Sequence, residues 1–366
     1  MATLLADFDT AHCGAIHDSQ LDVHGLRLAT ASADGHVRIW DVSEPRKPGF
    51  LCDLGGHAGA VYQVAWSPPE AGQLLASVGS DGCVIVWGPR HGDHGASHEE
   101  LLAAAGESCP WRALRRECLR QHGPIHAVAW SPAEHGATLA CACADGSVTV
   151  LTHHAGVLRT PEAGATVEHR WHAQSFEAHP GGSVHGLAWA SSPSAGESVA
   201  DGSTPGSTLA GARLATAGAG GLRVWRWDVQ AGDVWTQEPL RAPRASSAAV
   251  VARDVAWRPW DGLVETLALA DGQDVVVWQK HAGDAKDEGG WTVAHRIHIG
   301  EEVWRLSWFE LGGVLLASCG SDAERHGVLL KQRLSGDWDV MDVCEEEEEP
   351  ESAALPALCV GGAGGA

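Results

Sequence analysis

Three side chains within residues 55–87 are of the types that a serine hydrolase uses. His57, Ser77 and Asp81 supply an imidazole, a hydroxyl and a carboxylate, and in hydrolases such a set activates the hydroxyl as a nucleophile. The sequence around Ser77 does not fit that chemistry, because it lacks the motif G-x-S-x-G and no strand–elbow–helix pattern surrounds it. A P-loop, an H-E-x-x-H motif and a dinucleotide fingerprint are absent as well. The sequence therefore predicts that the chain is not an enzyme and binds no cofactor.

Residues 55–87 form one unit of three short strands separated by turns. The third strand, 84–87, follows the tight turn Ser80-Asp81-Gly82. First strands with V-A-W or a variant of it lie at 64–66, 128–130, 187–189, 255–257 and 306–308. Similar second strands lie at 27–35, 74–82, 138–146, 213–221, 266–272 and 315–322. There are six such repeats, and they carry Gly-His and Trp-Asp signatures. Insertions make them longer than the usual period of ~40–45 residues. This pattern predicts an all-β, six-bladed WD-repeat β-propeller.

The hydrolase-like residues recur at nearly the same spacing near the start of the chain. With one tryptophan added to each, the two sets are His57, Ser77, Asp81 and Trp87, and His12, Thr30, Asp34 and Trp40. A catalytic triad has no reason to occur twice. In WD repeats such a tetrad forms a hydrogen-bonded chain inside the blade, in which the Asp orients the His, the His bonds the hydroxyl, and the hydroxyl reaches the indole N–H. We therefore predict two structural tetrads and no catalytic or metal-binding residues.

Composition restricts the partners of the chain. Its 366 residues carry a net charge of −22, which repels phosphate backbones, so direct nucleic-acid binding is not expected. There is neither an apolar run long enough to span a membrane nor a signal-peptide pattern. The ten cysteines are scattered, and the one close pair, Cys141 and Cys143, has no further metal ligand at short spacing. We predict buried, reduced thiols and a location in the cytosol or nucleus.

The repeats assign residues 1–343 to one propeller and leave residues 344–366 as a disordered tail. Three insert loops, 88–108, 152–166 and 191–211, lengthen the repeats. His91, His94 and His98 lie in the first loop, where solvated side chains are favoured over a weak metal site. The tail begins with the acidic run Glu345–Glu349 and ends in glycine and alanine, a composition typical of a solvated segment.

The number of strands leaves one strand over. The last repeat has its own outer strand at 338–343, so the N-terminal strand Leu4–Asp9 occupies the outer position of a seventh blade that the chain does not otherwise encode. Six blades and one extra strand predict an open seam between blades one and six, where a partner donates a three-stranded blade. The alternative is that the six blades close on themselves with Leu4–Asp9 packed loosely.

Segments 15–42, 53–87 and 251–257 resemble the small open-propeller subunit family shared by the COPII outer coat and the nuclear-pore Y-complex. The series Ile16-His17-Asp18 with Gln20 is more specific than the general WD pattern. The resemblance implies a six-bladed open propeller that receives a blade in trans from an α-solenoid partner. That partner is a rod-forming coat subunit at the endoplasmic-reticulum membrane or a scaffold nucleoporin, and the family also occurs in a nutrient-signalling complex on lysosomal or vacuolar membranes.

The resemblance also implies which residues line the seam. Carried over by position, they are Leu4, Leu5, Phe8, Ile16, Leu21, Val303, Trp304, Leu306 and Trp308. In alternating strands, half of such residues pack against the neighbouring blade of the same chain instead. The predicted function is that of a structural scaffold subunit in the COPII cage for ER-to-Golgi transport and in the nuclear pore, associated with membranes peripherally through the coat. The alternative is a closed WD-repeat peptide reader or a ubiquitin-ligase substrate receptor.

Overall fold

The computed structural model describes residues 8–44, 46–89, 109–160, 164–190, 209–241, 251–260, 264–281, 290–309, 313–320, 325–333 and 335–342. Within them lie 25 strands and three short 3-10 helices, at Pro69–Ala71, Arg120–His122 and Ala133–His135. The strands are β1 (Ile16–Leu21), β2 (Arg27–Ser32), β3 (His36–Asp41), β4 (Gly49–Gly55), β5 (Val61–Trp66), β6 (Leu75–Gly79), β7 (Cys83–Pro89), β8 (Trp111–Cys118), β9 (Ile125–Trp130), β10 (Thr138–Cys143), β11 (Ser147–Thr160), β12 (Gly164–Glu177), β13 (Val184–Trp189), β14 (Arg213–Gly218), β15 (Gly221–Asp228), β16 (Val234–Gln237), β17 (Leu240–Arg241), β18 (Asp254–Trp257), β19 (Val264–Asp271), β20 (Asp274–His281), β21 (Trp291–His298), β22 (Val303–Trp308), β23 (Val314–Gly320), β24 (Arg325–Gln332) and β25 (Trp338–Asp342).

These strands form six sheets, one for each repeat, and confirm the six-bladed propeller. Each blade is an antiparallel meander of four strands, from an inner first strand to an outer fourth strand. The inner strands β1, β5, β9, β13, β18 and β22 lie side by side in that order. Blade five has a fifth strand, because the short β17 pairs in parallel with its outer strand β21. In the described part of the chain, no helix is long and apolar enough to cross a membrane.

The local sequence explains why each repeat folds into a blade. The second strands are short apolar runs; in β10, for example, all six residues are buried. The turn that follows is tight and requires a residue with positive φ, which Gly82 (φ 66°) and Gly146 (φ 89°) supply in blades two and three. An added Cβ at Gly146 would meet backbone oxygens of the next blade, so glycine there also allows close packing between blades.

Between consecutive blades lie five clusters of buried apolar side chains, and these clusters are the core of the protein. Representative members are Ile39 and Trp87 between blades one and two, Val84 and Trp130 between two and three, Val150 and Trp189 between three and four, Val224 and Trp257 between four and five, and Val277 and Leu315 between five and six. Among the described residues, no such cluster joins blade six to blade one. Within the described parts of the chain, the blades are therefore packed at five junctions and not at the sixth.

The insertions differ in part from the prediction. Residues 152–166 are not a loop, because β11 and β12 continue through most of them as a long two-stranded ribbon, paired from Ser147 with Glu177 to Thr160 with Gly164. Backbone pairing extends the hairpin beyond the blade, and the sequence lacks the strict alternation that would have revealed it. The first predicted loop starts too early, since β7 runs to Pro89. The rest of that loop, residues 191–208 and the tail lie outside the described residues.

Candidate functional site: the seam between blades one and six

The hydrolase-like residues of blade two form a closed internal network. His57 Nδ1 lies 3.0 Å from the Asp81 carboxylate and Nε2 lies 2.8 Å from Ser77 Oγ, to which Trp87 Nε1–H donates at 2.8 Å. Ser77 is fully buried, so no substrate reaches its hydroxyl. Burial lowers the pKa of His57, although the Asp81 carboxylate opposes this shift, and the ring is neutral near pH 7. The geometry supports a structural tetrad.

In blade one the corresponding network is incomplete. His12 Nδ1 lies 2.8 Å from the Asp34 carboxylate and Nε2 lies 2.9 Å from Thr30 Oγ1. Burial would raise the pKa of Asp34, but hydrogen bonds from His12 and from backbone N–H groups outweigh it and lower the pKa to about 2. The predicted bond from Trp40 to Thr30 is absent, and the buried indole N–H has no partner among the described residues. Its ring instead packs edge-on against Phe8 at 5.1 Å and against the exposed Phe50.

Blade four contains a third network that the sequence did not reveal. His179 Nε2 lies 3.0 Å from Thr216 Oγ1, to which Trp225 Nε1–H donates at 3.1 Å. Glycine stands at position 220 in place of the turn aspartate, and the backbone carbonyl of Ala219, 2.7 Å from His179 Nδ1, serves as the acceptor instead. The sequence signal for this network is a histidine and a hydroxyl, His179 and Thr216, at the same repeat positions as in blades one and two. A backbone substitute for the carboxylate cannot be read from side-chain types.

The face of blade one that points away from blade two is partly exposed, although Trp40 on this face is buried. Ile16 and Leu21 on the inner strand are 42% and 54% exposed, and Leu28, which pairs with Leu21 across the sheet, is partly exposed. The equivalents of Leu28 in the other five blades are fully buried, namely Leu75, Leu139, Leu214, Leu267 and Leu315. We name Ile16, Leu21, Leu28, Trp40 and Phe50 the seam face of blade one.

The predicted seam residues of blade six lie on the wrong side of their strand. Val303 and Leu306 are buried in the cluster shared with blade five, not at the seam. The ring of Trp304 stacks under the Arg253 guanidinium at 4.3 Å, and Trp308 donates from Nε1 to the Ala256 carbonyl (3.2 Å). A β-bulge between Val303 and Arg305 brings Val303, Leu306 and Trp308 to one face of β22, and in blades two to six that face packs on the preceding blade. The resemblance assigned them to the opposite face.

The other face of blade six carries the apolar residues that point toward the gap. Leu316 pairs across the sheet with Leu329, which pairs with Met341, so the three share one face. Leu316 and Leu329 are partly exposed and Met341 is 42% exposed. At the position of Leu316 the other five blades have buried alanines, namely Ala29, Ala76, Ala140, Ala215 and Ala268. We name Leu316, Leu329 and Met341 the seam face of blade six. Leu4 and Leu5, which were also predicted to line the seam, lie outside the described residues.

Charge links the inner ends of the blades around the seam. Asp254 accepts a hydrogen bond from the Leu306 N–H (2.9 Å), and Asp18 accepts one from the Val64 N–H (3.1 Å). Burial raises the pKa of both carboxyls, that of Asp254 to about 6, and the positive charge of Arg305 opposes the shift in each. Arg305 of blade six therefore acts on a carboxylate of blade five and on one of blade one. Among the described residues, no cluster of buried apolar side chains joins the two seam faces.

The cysteines are not all free thiols, contrary to the prediction. Cys52 of β4 is disulfide-bonded to Cys109, and Cys83 of β7 to Cys118 of β8. The first bond connects blades one and two across 57 residues of sequence, a relation that cysteine spacing does not reveal. The close pair of β10, Cys141 and Cys143, is buried and free, and burial raises the pKa of both thiols. Among the described residues, no group of three or more side chains is arranged to hold a metal ion.

Comparison of the chain with known proteins identifies a family model and several similar proteins. A family model described as "WD domain, G-beta repeat" matches residues 3–41 and 49–88. The "Protein SEC13 homolog" of Drosophila melanogaster is 32% identical over 92% of this chain and 83% of its own length. The chain belongs to the SEC13 family. The "Protein transport protein sec13" of Aspergillus clavatus is 30% identical over 90% of this chain and all of its own length, and the SEC13 of Cryptococcus neoformans var. neoformans is 33% identical over 85% and 90%.

A solved structure shares the fold of this SEC13 family member. A chain in the crystal structure of the mitotic checkpoint complex aligns with a TM-score of 0.55 at 15% identity, covering 91% of this chain and 77% of the other. At that identity the likeness concerns the propeller fold alone. Membership of the SEC13 family agrees with the family resemblance of the sequence, and the structure gives this SEC13 relative two unpacked apolar faces at a single junction between blades.

Proposed function

We propose that this chain is a structural scaffold subunit of protein-transport machinery and that it works by accepting a blade at its seam. The observation that carries the proposal is the difference between five packed junctions and the unpacked junction of blades six and one. A donated blade of three strands would cover both seam faces at once and complete a seven-bladed ring. Such an interface is of the obligate class, with a buried area above ~2,000 Å².

The donor that fits this role is an α-solenoid subunit, either the rod-forming subunit of the COPII cage or a scaffold nucleoporin. In that setting the propeller stiffens the rod, and the chain is associated peripherally with ER membranes and vesicles, or with the nuclear pore. Its contribution is structural and not catalytic, because the buried Ser77 and its partners are committed to one another. A place in a lysosomal or vacuolar nutrient-signalling complex stays a prediction of the family resemblance.

The alternative of a closed peptide reader or ligase substrate receptor fits the structure less well. A closed ring would bury the leucine at position 28 as its five equivalents are buried, and it would need a small residue at position 316 as in the other blades. Instead, leucine occupies both positions and is partly exposed at both. Apolar surface at two facing positions favours a partner that inserts there.

Co-purification of seam variants tests the proposal. Leu21→Glu and Leu316→Glu each place a charge on one seam face, and Val229→Glu does the same at a position of similar exposure (49%) outside the seam. Each chain is co-expressed with the α-solenoid coat subunit of the same organism and, separately, with the scaffold nucleoporin. We expect both seam variants to lose capture of the donor by at least about tenfold, since each buries an unpaired charge. Equal capture by all three variants would contradict blade donation at this seam.

A further inference from the structure

The outer strand of blade two concentrates positive charge in an acidic protein. Residues 111–120 contain Arg112, Arg115, Arg116 and Arg120 but only one acidic residue, Glu117, whereas the whole chain has a net charge of −22. The outer strands β4 and β25 carry only aspartates as charged residues. β8 is therefore a local basic strip on a surface that otherwise repels anions.

Much of this charge is not neutralised by neighbouring carboxylates. Arg115 pairs with Glu117 at 2.6 Å, and Arg116 lies 3.4 Å from Asp81, which is already committed to the blade-two tetrad. Arg112 and Arg120 are exposed and make no ion pair within the described part of the chain. A partner that supplies carboxylates would find unsatisfied cations at both ends of the strip.

The strip also offers a free strand edge. β8 ends the sheet order of blade two, and no strand pairs with its outer side among the described residues. Five successive residues of β8, from Arg112 to Arg116, are exposed. Blade five shows that an outer edge of this propeller accepts a further strand, because β17 pairs there with Trp291 and Thr292 of β21. Backbone N–H and C=O groups along β8 are open to the same kind of addition.

The two disulfides hold this edge in place. Cys109 precedes β8 and is disulfide-bonded to Cys52 of blade one. Cys118 is the last residue of β8 and is disulfide-bonded to Cys83 of β7. A strand that is fixed at both ends loses little further freedom when another strand pairs with it. Preorganisation of this kind favours binding, because little conformational entropy of β8 remains to be lost when the partner binds.

We propose that the outer edge of β8 binds an extended acidic segment of a partner protein, which adds to blade two as a fifth strand. Backbone hydrogen bonds would hold the segment, one carboxylate would face Arg112 and another would compete with Glu117 for Arg115, and the exposed Leu114 would contact an apolar side chain of the segment. An anionic membrane is disfavoured as the ligand, since a bilayer would face the acidic surface around this single strand. This site lies on blade two, away from the seam, and is independent of blade donation.

Fluorescence anisotropy with the full chain tests the proposal, using a short labelled peptide that alternates glutamate with valine. The variant Arg112→Glu/Arg115→Glu is compared with Arg226→Glu/Lys331→Glu, which makes the same change of charge at exposed positions elsewhere. We expect saturable binding that weakens with salt. Binding should be about tenfold weaker in the β8 variant, because two attractive charge pairs become repulsive, and it should be unchanged in the control. Thermal melts establish that both variants fold.

Two further probes separate strand addition from attraction between charges alone. A peptide N-methylated at alternate residues keeps every carboxylate but lacks edge N–H donors, and we expect it not to bind. Hydrogen exchange should show protection of β8 amides by the unmodified peptide. The proposal is overturned if no saturable binding occurs, if both arginine variants bind alike, if the N-methylated peptide binds equally well, or if only anionic vesicles bind. Arginines on β8 would then serve only to guard an edge against aggregation.

Discussion

Replacement of Ser77 by alanine should destabilise the protein more than the equivalent change in blade one. Ser77 Oγ accepts a hydrogen bond from Trp87 and bonds His57, each at 2.8 Å, and all three side chains are buried. Ser77→Ala leaves a buried indole N–H and a buried imidazole nitrogen without partners. Each unsatisfied group costs about 1–3 kcal/mol, so we expect a loss of about 3 kcal/mol in the free energy of unfolding.

The blade-one counterpart provides an internal comparison. Thr30→Val keeps the side-chain shape and removes the partner of His12 and a long hydrogen bond to the Arg38 carbonyl (3.4 Å), but it leaves no further indole unpaired, because Trp40 does not bond Thr30. We expect a loss of about 1 kcal/mol there, and none for the exposed Ser43→Ala. Urea unfolding followed by tryptophan fluorescence measures all three. A Ser77→Ala protein as stable as the unsubstituted chain, or a Thr30→Val protein equally destabilised, would refute the reasoning.

Three further predictions concern charge and covalent links. Arg213 of blade four forms ion pairs with Glu238 (2.9 Å) and Glu265, and Glu238 also pairs with Lys280, so Arg213→Met should cost about 3–5 kcal/mol and Arg213→Met/Glu238→Gln/Glu265→Gln less, measured by urea unfolding. The lowered pKa of Asp34 contributes stability that is fully present above about pH 4 and is lost as the pH falls toward about 2. Asp34→Asn should therefore remove roughly 1–2 kcal/mol at pH 7, and thermal melts at several pH values should show a melting temperature that depends less on acid. Cys52→Ser opens the loop that the bond to Cys109 closes, so it should cost up to ~4 kcal/mol of stability and lower the melting temperature. A reducing agent should lower the melting temperature of the unsubstituted chain further, because it also breaks Cys83–Cys118.

The sequence predicted the parts of this protein that depend on short-range pattern. The V-A-W strands and Asp-Gly turns identified six blades, because alternation and turn chemistry are local. The same alternation does not say which neighbouring blade a strand face meets. Val303 and Leu306 pack on blade five, although the family resemblance implied that they line the seam. The Cys52–Cys109 bond escaped prediction because it depends on how the packing of blades one and two places β4 beside the residues before β8.

Hydrogen exchange at the seam with and without a donated blade tests the open propeller most directly. Exchange is measured for the chain alone and in complex with its α-solenoid donor. The amides of β1 and β23 are compared with those of β6, all of whose residues are buried, in a blade that is packed on both sides. We predict that amides of β1 and β23 exchange faster than those of β6 in the free chain and become protected when the donor binds. With the donor at a hundredfold excess over its Kd, the complex should be more stable than the free chain by about 2.7 kcal/mol, which should raise the melting temperature. Equal protection of the three strands in the free chain, together with a melting temperature that the donor leaves unchanged, would contradict an open seam completed in trans.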